Sequence, residues 1–217
     1  MIKLYLVQQK VKFLFQELKD VKTSRCCIGI LQDNQNKTHK VNQIRASALL
    51  DKKYVESKIE NILDSDMLFI EGYFILSKYD IVEYLLTKYD KSGRYIAFNV
   101  SAPFICEKKR EEVKNIFNFT DFIFATEEEI AKFLGVSFKS ALELSNALHE
   151  TLESSDKKRF LILMKGNFNY LISSYDYNNN SVITEHEFDE KSNAEPTREL
   201  SGTREGNISF NLLKNYF

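Results

Sequence analysis

The sequence predicts an α/β fold with a mostly parallel central sheet. From about residue 53 to 165, apolar runs of strand length alternate with amphipathic helical patterns. This alternation is typical of strand–helix–strand units, whose right-handed crossovers place helices on both faces of a parallel sheet. Hydrophobic residues make up 43% of the 217-residue chain, which supports a packed core, and the length suits one domain.

The amino-terminal part contains a helical pattern and a hairpin before the alternation begins. Val11, Leu14 and Leu18 recur near helical spacing, so a helix is predicted over 8–19. Two strands are predicted to pair across the turn DNQNK, in the segments RCCIGILQD and KTHKVNQIRASALL. An amphipathic helix is predicted next, in the segment DKKYVESKIENIL.

Three buried strands are predicted from nearly continuous apolar runs, in the segments DMLFIEGYF, RYIAFNV and TDFIFA. A helical pattern follows each of them, in the segments YDIVEYLLTKYDKSG, EKKREEVKNIFNF and TEEEIAKFLG, and Thr126 suits the N-cap of the last. The remaining elements are a longer helix, a buried strand and an antiparallel pair, in FKSALELSNALHETLESS, RFLILMKG, FNYLISSYD and SVITEHEF.

Composition excludes several classes of function. The net charge of −1 gives no general attraction to nucleic acid or to acidic membranes. No apolar run is long enough to span a bilayer. The three cysteines lack C-x-x-C spacing and the three histidines lack ligand spacing, so we expect a reduced, cytoplasmic protein without a metal cage.

The segment FNVSAPFI marks the passage from a buried strand to a helix. In a parallel α/β sheet that turn lies at the carboxyl edge, where ligands bind. Pro103 restricts the turn, and Phe104 follows it directly. An aromatic ring at such a place either packs against the core, which is the more common case, or offers its flat face to a ligand.

Several segments, in order along the chain, resemble the adenosine kinases of the ribokinase (PfkB) family of sugar and nucleoside kinases. TSRCCIGI resembles the family's Thr-Gly-Thr-Cys-Ala strand, NKTHKVNQIRASA its Asn-Arg-Ser-Leu and Asn-Leu-x-Ala-Ala segment, and FIEGYF its Gly-Phe-Phe strand. NVSAPFI, which TDFIFATEEEIAKFLG follows, also matches, and its Ser-Ala-Pro-Phe stretch is the most specific piece of the resemblance. The resemblance covers residues 20 to 175, and it implies a ribokinase-like three-layer sandwich with a partial β lid over 23–48.

The resemblance implies that Phe104 stacks on the adenine ring. Glu128 takes the place of the glutamate in the family's Asn-x-x-Glu motif, which helps to position Mg²⁺ through water, while Ala125 replaces the asparagine. A glutamate in the first turn of a helix also stabilises that helix by itself, so this simpler interpretation of Glu128 stays open.

Four further positions are implied to border the nucleotide phosphates. Gly166 matches the glycine of the family's Thr-x-Gly, and Lys37 falls where the family has a phosphate-binding arginine on its lid. ELSGTREGNISF resembles the family's anion hole, Asp-Thr-x-Gly-Ala-Gly-Asp, in a degenerate form over about 196–217. Gly202 and Arg204 then stand for its glycines and Glu205 for its catalytic base; the alternative is a loop whose likeness is accidental.

We therefore expect a single ribokinase-like domain over 1–217 that is incomplete at both ends. The implied function is ATP-dependent and Mg²⁺-dependent phosphorylation of adenosine to AMP, in purine salvage, with weak or no activity because of the degenerate anion hole. The alternative is an inactive pseudo-kinase that binds a purine nucleoside or a protein partner. The family implies a monomer, although uncovered sheet edges would favour association. A sugar kinase is disfavoured by the Ser-Ala-Pro-Phe stretch.

Overall fold

The computed structural model describes residues 2–30, 38–90, 93–152, 158–164, 170–176 and 181–187. Contacts divide the chain into two compact units, Met1–Leu68 with Phe74–Arg94, and Phe69–Tyr73 with Tyr95–Phe217. The prediction of one domain over 1–217 involves residues beyond the described ranges and stays a prediction. None of the helices in the described ranges is both long enough and apolar enough to cross a membrane.

The first unit contains a hairpin and mostly short helices. Its elements are α1 (Ile2–Gln8), β1 (Arg25–Ile30), β2 (Thr38–Gln43), a 3₁₀ turn (Ala46–Leu49), α2 (Lys52–Glu56), α3 (Ile59–Leu63) and most of α4 (Gly72–Asp90). The β1 and β2 strands pair antiparallel from Arg25↔Gln43 to Ile30↔Thr38. This confirms the predicted hairpin.

The predicted helix over 8–19 is wrong. Helix α1 ends at Gln8, and Lys10 adopts a left-handed φ of 57° just after it. The rings of Phe13 and Phe15 stack with centroids 4.8 Å apart, which suits extended chain, where residues two apart face the same side. The apolar side chains of this segment remain largely exposed, and a helical face that buries little has little to stabilise it.

Helices α2 and α3 replace the single helix predicted over 51–63. Asp51 caps α2 by accepting a hydrogen bond from the Lys53 N–H, and the chain leaves helical geometry at Lys58. The predicted apolar face nevertheless forms. A core cluster of Val55, Ile81 and Leu85 packs with partly buried apolar side chains, namely Leu50, Ile59, Ile62, Leu68, Phe74 and Tyr84.

The second unit is built on a six-stranded sheet in the order β3-β4-β5-β6-β7-β8. The strands of the sheet are β3 (Met67–Glu71), β4 (Tyr95–Asn99), β5 (Phe122–Thr126), β6 (Arg159–Met164), β7 (Tyr170–Asp176) and β8 (Ser181–Glu187). The first two residues of β3 belong to the first unit. The helices of the second unit are α5 (Pro103–Lys108), α6 (Arg110–Phe119), α7 (Glu127–Leu134) and α8 (Ala141–Thr151). Strands β4, β5 and β6 are parallel, whereas β7 and β8 run antiparallel, as predicted.

The boundary between β3 and α4 differs from the prediction. The apolar run from Met67 to Phe74 predicts one continuous strand. In the structure the strand ends at Glu71 and α4 begins at Gly72. Lys78 has non-helical φ and ψ of −138° and 37°, so α4 breaks just before the predicted helix start. A short buried helical segment cannot be distinguished from a strand by its apolar pattern alone.

Aromatic contacts fill the core of the second unit. Phe117 of α6 packs edge-to-face on Phe98 of β4 at 5.9 Å and on Phe133 of α7 at 5.0 Å between ring centroids. Each such pair stabilises a fold by about 0.5–1.5 kcal/mol beyond its buried area. These contacts hold α6 against β4 and α7 against α6.

His149 of α8 is buried beside strands β6 and β7. Its Nε2 lies 3.4 Å from the Ser173 hydroxyl, which also hydrogen bonds to the Ser145 hydroxyl. Burial lowers the pKa of His149 from 6.5 to about 4, and the positive charge of Arg159 acts in the same direction. The imidazole is therefore neutral in the folded protein at neutral pH.

We predict that His149 makes the protein less stable as the pH falls from about 6.5 to 4. In this range the unfolded chain binds a proton at residue 149 that the folded chain does not, so protonation favours unfolding. The free energy of unfolding should fall by about 2 kcal/mol between roughly pH 7 and pH 5 from this group alone. Urea unfolding of the protein and of His149→Gln at both pH values measures it; parallel losses in the two proteins would contradict the assignment.

We also predict that only two of the three thiols react in the folded protein. Cys106 is fully buried, and burial, followed by the nearby Glu129 carboxylate, raises its pKa to about 12. Cys26 and Cys27 are exposed. Brief treatment with iodoacetamide near neutral pH, followed by mass spectrometry, should find label at Cys26 and Cys27 and, only after denaturation, at Cys106. Label on Cys106 in the native protein would show that its site opens.

Candidate functional site

The candidate site lies where β3, β4 and β5 end. Strands β4 and β5 are parallel, so their carboxyl ends share one edge of the sheet, the edge where ligands bind in α/β proteins. Glu71, the last residue of β3, accepts a hydrogen bond from Asn99 Nδ2 on Oε2 at 3.1 Å. Asn99 is the last residue of β4, so β3 ends at the same edge.

Glu71, Gly72, Asn99 and Ser101 form a hydrogen-bonded group that we call the Glu71–Ser101 junction. The Ser101 hydroxyl donates to Glu71 Oε1 at 2.5 Å and accepts from the Gly72 N–H at 2.9 Å. A Cβ atom on Gly72 would lie only 2.1 Å from the carbonyl oxygen of Val100, so no larger residue fits there. The junction thus brings two chain segments into direct backbone contact.

Ser101 has a left-handed backbone conformation, with φ of 75°. This conformation costs a non-glycine residue about 1 kcal/mol or more and persists where surrounding contacts hold it. Here the hydrogen bonds of the serine hydroxyl to Glu71, to the Gly72 N–H and to the Asn99 carbonyl hold it. The left-handed residue redirects the chain from β4 into α5, the helix that carries Phe104.

Phe104 lies in the first turn of α5, directly after Pro103. Its side chain is 37% exposed, so it is not sealed into the core. Its ring centroid is 6.0 Å from that of Tyr73, which is 45% exposed, and the two rings meet at 61°. The Lys108 ammonium lies 5.6 Å from the centroid of the Phe104 ring. The turn therefore offers aromatic surface at the ligand edge, and the adenine-stacking role of Phe104 stays a prediction.

Glu128 lies in the first turn of α7, after β5. Glu129, its neighbour, is committed to a capping box, because its Oε2 accepts from the Thr126 N–H at 2.8 Å and its own N–H donates to Thr126 Oγ1 at 3.2 Å. Glu128 is exposed and lines a groove with Lys132, Val136 and Phe138. Thr126 is thus confirmed as the N-cap.

Lys132 contributes a positive charge to the groove that Glu128 lines. Lys132 pairs with Glu107 at 2.9 Å between Nζ and Oε1, and this hydrogen bond raises the pKa of Lys132, with Glu128 contributing less. Among the described residues no group of three histidine, cysteine or acidic side chains could hold a metal ion. Mg²⁺ is usually held by one or two carboxylates together with water and substrate phosphates, so a single exposed carboxylate fits the water-mediated role implied for Glu128.

The other predicted site residues fall outside the described ranges, and their roles stay predictions. They are Lys37, Gly166, Gly202, Arg204 and Glu205.

The sequence reasoning missed the side chains of the junction and Tyr73. A usable signal was present, because Glu71 and Asn99 each end a nearly continuous apolar strand. Polar residues at the ends of neighbouring parallel strands meet at one edge.

The architecture matches solved structures of nucleoside and sugar kinases. Adenosine kinase from Anopheles gambiae, in complex with P1,P4-di(adenosine-5) tetraphosphate, aligns with a TM-score of 0.73 at 18% identity, over 93% of this chain and 61% of that one. Adenosine kinase from Schistosoma mansoni, in complex with adenosine and AMP, aligns with a TM-score of 0.71 at 17% identity, over 86% of this chain and 55% of that one. A probable sugar kinase from Rhizobium etli CFN 42 aligns with a TM-score of 0.65 at 15% identity, over 80% of this chain and 52% of that one.

These alignments confirm the predicted ribokinase-like α/β fold. The chain spans between about half and three fifths of the length of these three structures. No curated protein matches the sequence significantly. The sequence profile described as pfkB family carbohydrate kinase matches residues 1–185, and the chain therefore belongs to the pfkB family of kinases.

Proposed function

We propose that this chain is an adenosine-kinase-like protein that binds a purine nucleoside at the carboxyl edge of its sheet and transfers phosphate weakly or not at all. The observation that carries the proposal is the Phe104 ring, 37% exposed on a proline-restricted turn at that edge. The adenosine kinases with the same fold support the choice of nucleoside, since the Schistosoma mansoni structure holds adenosine and AMP.

A ring in this setting suits a flat heterocycle. Base–aromatic stacking contributes roughly 1–3 kcal/mol per base. Pro103 at the start of α5 restricts the turn before ligand arrives, so little conformational entropy is lost on binding.

The Lys108 ammonium lies over the face of the Phe104 ring and would compete with a purine for that face. An exposed cation–π contact is worth about 0.5–1 kcal/mol, less than a stacked base, and Lys108 is exposed on a long flexible side chain. A purine would therefore displace the ammonium group from the ring or stack on the opposite face.

In the proposed reaction the 5′-hydroxyl of adenosine attacks the γ-phosphorus of ATP, the bond from that phosphorus to the β,γ-bridging oxygen breaks, ADP leaves, and Glu205 accepts the hydroxyl proton. The protein contributes positioning and charge, with Lys37, Gly166, Gly202 and Arg204 beside the phosphates. Bound Mg²⁺, oriented through water by Glu128, would neutralise charge on the phosphates. Arg204 carries a side chain where the family's backbone approaches phosphate, and Glu205 is one methylene longer than the family's aspartate, so we expect slow transfer.

The same two residues favour a second candidate, a pseudo-kinase that binds nucleoside without turnover. It shares the Phe104 site with the first candidate and differs from it only in chemistry. Calorimetry with adenosine and with ATP, combined with a turnover assay, separates the two, because a pseudo-kinase would show heat of binding and no product.

We predict that Phe104→Ala weakens adenosine binding about 5- to 150-fold, the factor that corresponds to one lost stacking interaction. Isothermal titration calorimetry with adenosine measures the effect. Phe138→Ala is the matched control, because Phe138 has the same 37% exposure but lies on the groove beside α7, and it should bind like the original protein. Equal affinities for Phe104→Ala and the original protein would remove Phe104 from the site.

We predict that the purified protein forms AMP from adenosine and MgATP far more slowly than the ~1–100 s⁻¹ of ordinary kinases. Glu205→Asp should raise the rate by restoring the length of the family's base, and Glu205→Ala should abolish it. Chromatographic measurement of AMP tests all three proteins. An ordinary kinase rate in the original protein would show that the region 196–217 is a working anion hole.

A further inference from the structure

We propose that the Glu71–Ser101 junction is a positioning device for the base site: it sets the separation of the Tyr73 and Phe104 rings, so that Tyr73 forms a second wall beside the Phe104 platform. Glu71 acts on the ligand only through these two rings. The inference rests on the proposed binding of a purine nucleoside at Phe104.

Each ring is attached to one side of the junction. Tyr73 directly follows Gly72, whose N–H donates to the Ser101 hydroxyl at 2.9 Å. Phe104 is the third residue after Ser101, in the first turn of α5. Gly72 also approaches the Val100 carbonyl so closely that a Cβ atom would lie 2.1 Å from its oxygen. The two ring-bearing segments therefore meet at this contact, and a shift there moves the rings relative to each other.

The Glu71 carboxylate is the centre of the junction. It accepts from the Ser101 hydroxyl at 2.5 Å and from Asn99 Nδ2 at 3.1 Å. Asn99 is buried, and among the described residues its Oδ1 has no hydrogen-bond partner. The amide thus serves Glu71 while its own acceptor goes unpaired, and Ser101 is held in a left-handed conformation. Both the unpaired Asn99 oxygen and the left-handed Ser101 reduce stability locally, and both are retained in the one geometry that the junction adopts.

The geometry so held is a half-exposed aromatic corner. The ring centroids lie 6.0 Å apart at 61°, within the range that aromatic pairs prefer, and both rings keep exposed surface. A flat base that stacks on Phe104 can meet Tyr73 at its edge. A sugar without a base has no flat face to offer, so the corner selects a nucleoside.

A mutant cycle with adenosine tests the inference. Glu71→Ala should weaken adenosine binding about tenfold in the original protein but by no more than about twofold in a background that carries both Tyr73→Ala and Phe104→Ala, because its effect passes through these two rings. An equal factor in both backgrounds would overturn the inference and indicate direct contact between Glu71 and the ligand. No weakening in the original protein would also overturn it. Unchanged binding in Phe104→Ala alone would instead refute the proposed function.

Ser101→Gly separates positioning from stability. Glycine adopts the left-handed conformation without strain, and this relief offsets part of the cost of losing the hydroxyl's hydrogen bonds, so the variant should stay folded with only a small change in melting temperature while binding adenosine more weakly. Unchanged adenosine affinity would mean that Ser101 has a structural role only, and would overturn the inference.

The ring separation itself can be followed without ligand. In protein with labelled phenylalanine and tyrosine, the nuclear Overhauser contact between the Tyr73 and Phe104 rings should be present in the original protein and lost in Glu71→Ala. Its persistence in the folded variant would overturn the inference whether or not adenosine binds.

Discussion

The close contact between the Gly72 backbone and the Val100 carbonyl determines how the chain segments after β3 and β4 meet at the carboxyl edge of the sheet. It requires a residue without a side chain directly after β3, at the first position of α4. It also places the Gly72 N–H against the Ser101 hydroxyl, and through that hydroxyl against Glu71. The chain turns from β4 into α5 directly after this contact, and Tyr73 and Phe104 lie on either side of it.

Much of the fold could be predicted because its signals are local. The apolar runs of β4, β5 and β6 are long enough to indicate buried parallel strands, and the Thr126 capping box can be read directly from the spacing of threonine and glutamate. The helix predicted over 8–19 failed for a physical reason: spacing shows which side chains would share a face but not whether any surface covers them. The end of β3 was misplaced because its apolar run continues unbroken into α4.

The site could be predicted only in part. Phe104 was identifiable because an aromatic residue after proline at a strand end is a local pattern. The junction was not, because Glu71 and Ser101 are thirty residues apart and a left-handed serine has no sequence signature. The match to the pfkB family shows which family the chain belongs to, whereas contacts between strand ends are seen only in the three-dimensional structure.

In helix α7 the capping of the helix start falls to Glu129 and not to its neighbour Glu128. Glu129 secures the helix start through Thr126, and Glu128 has an exposed carboxylate beside it. Position 128 can therefore acquire or lose a ligand-directed function by drift while the helix start stays intact. If catalysis were lost during evolution, helix α7 would still form after the Glu128 carboxylate had lost its function. An intact helix start is therefore no evidence that catalytic activity is retained.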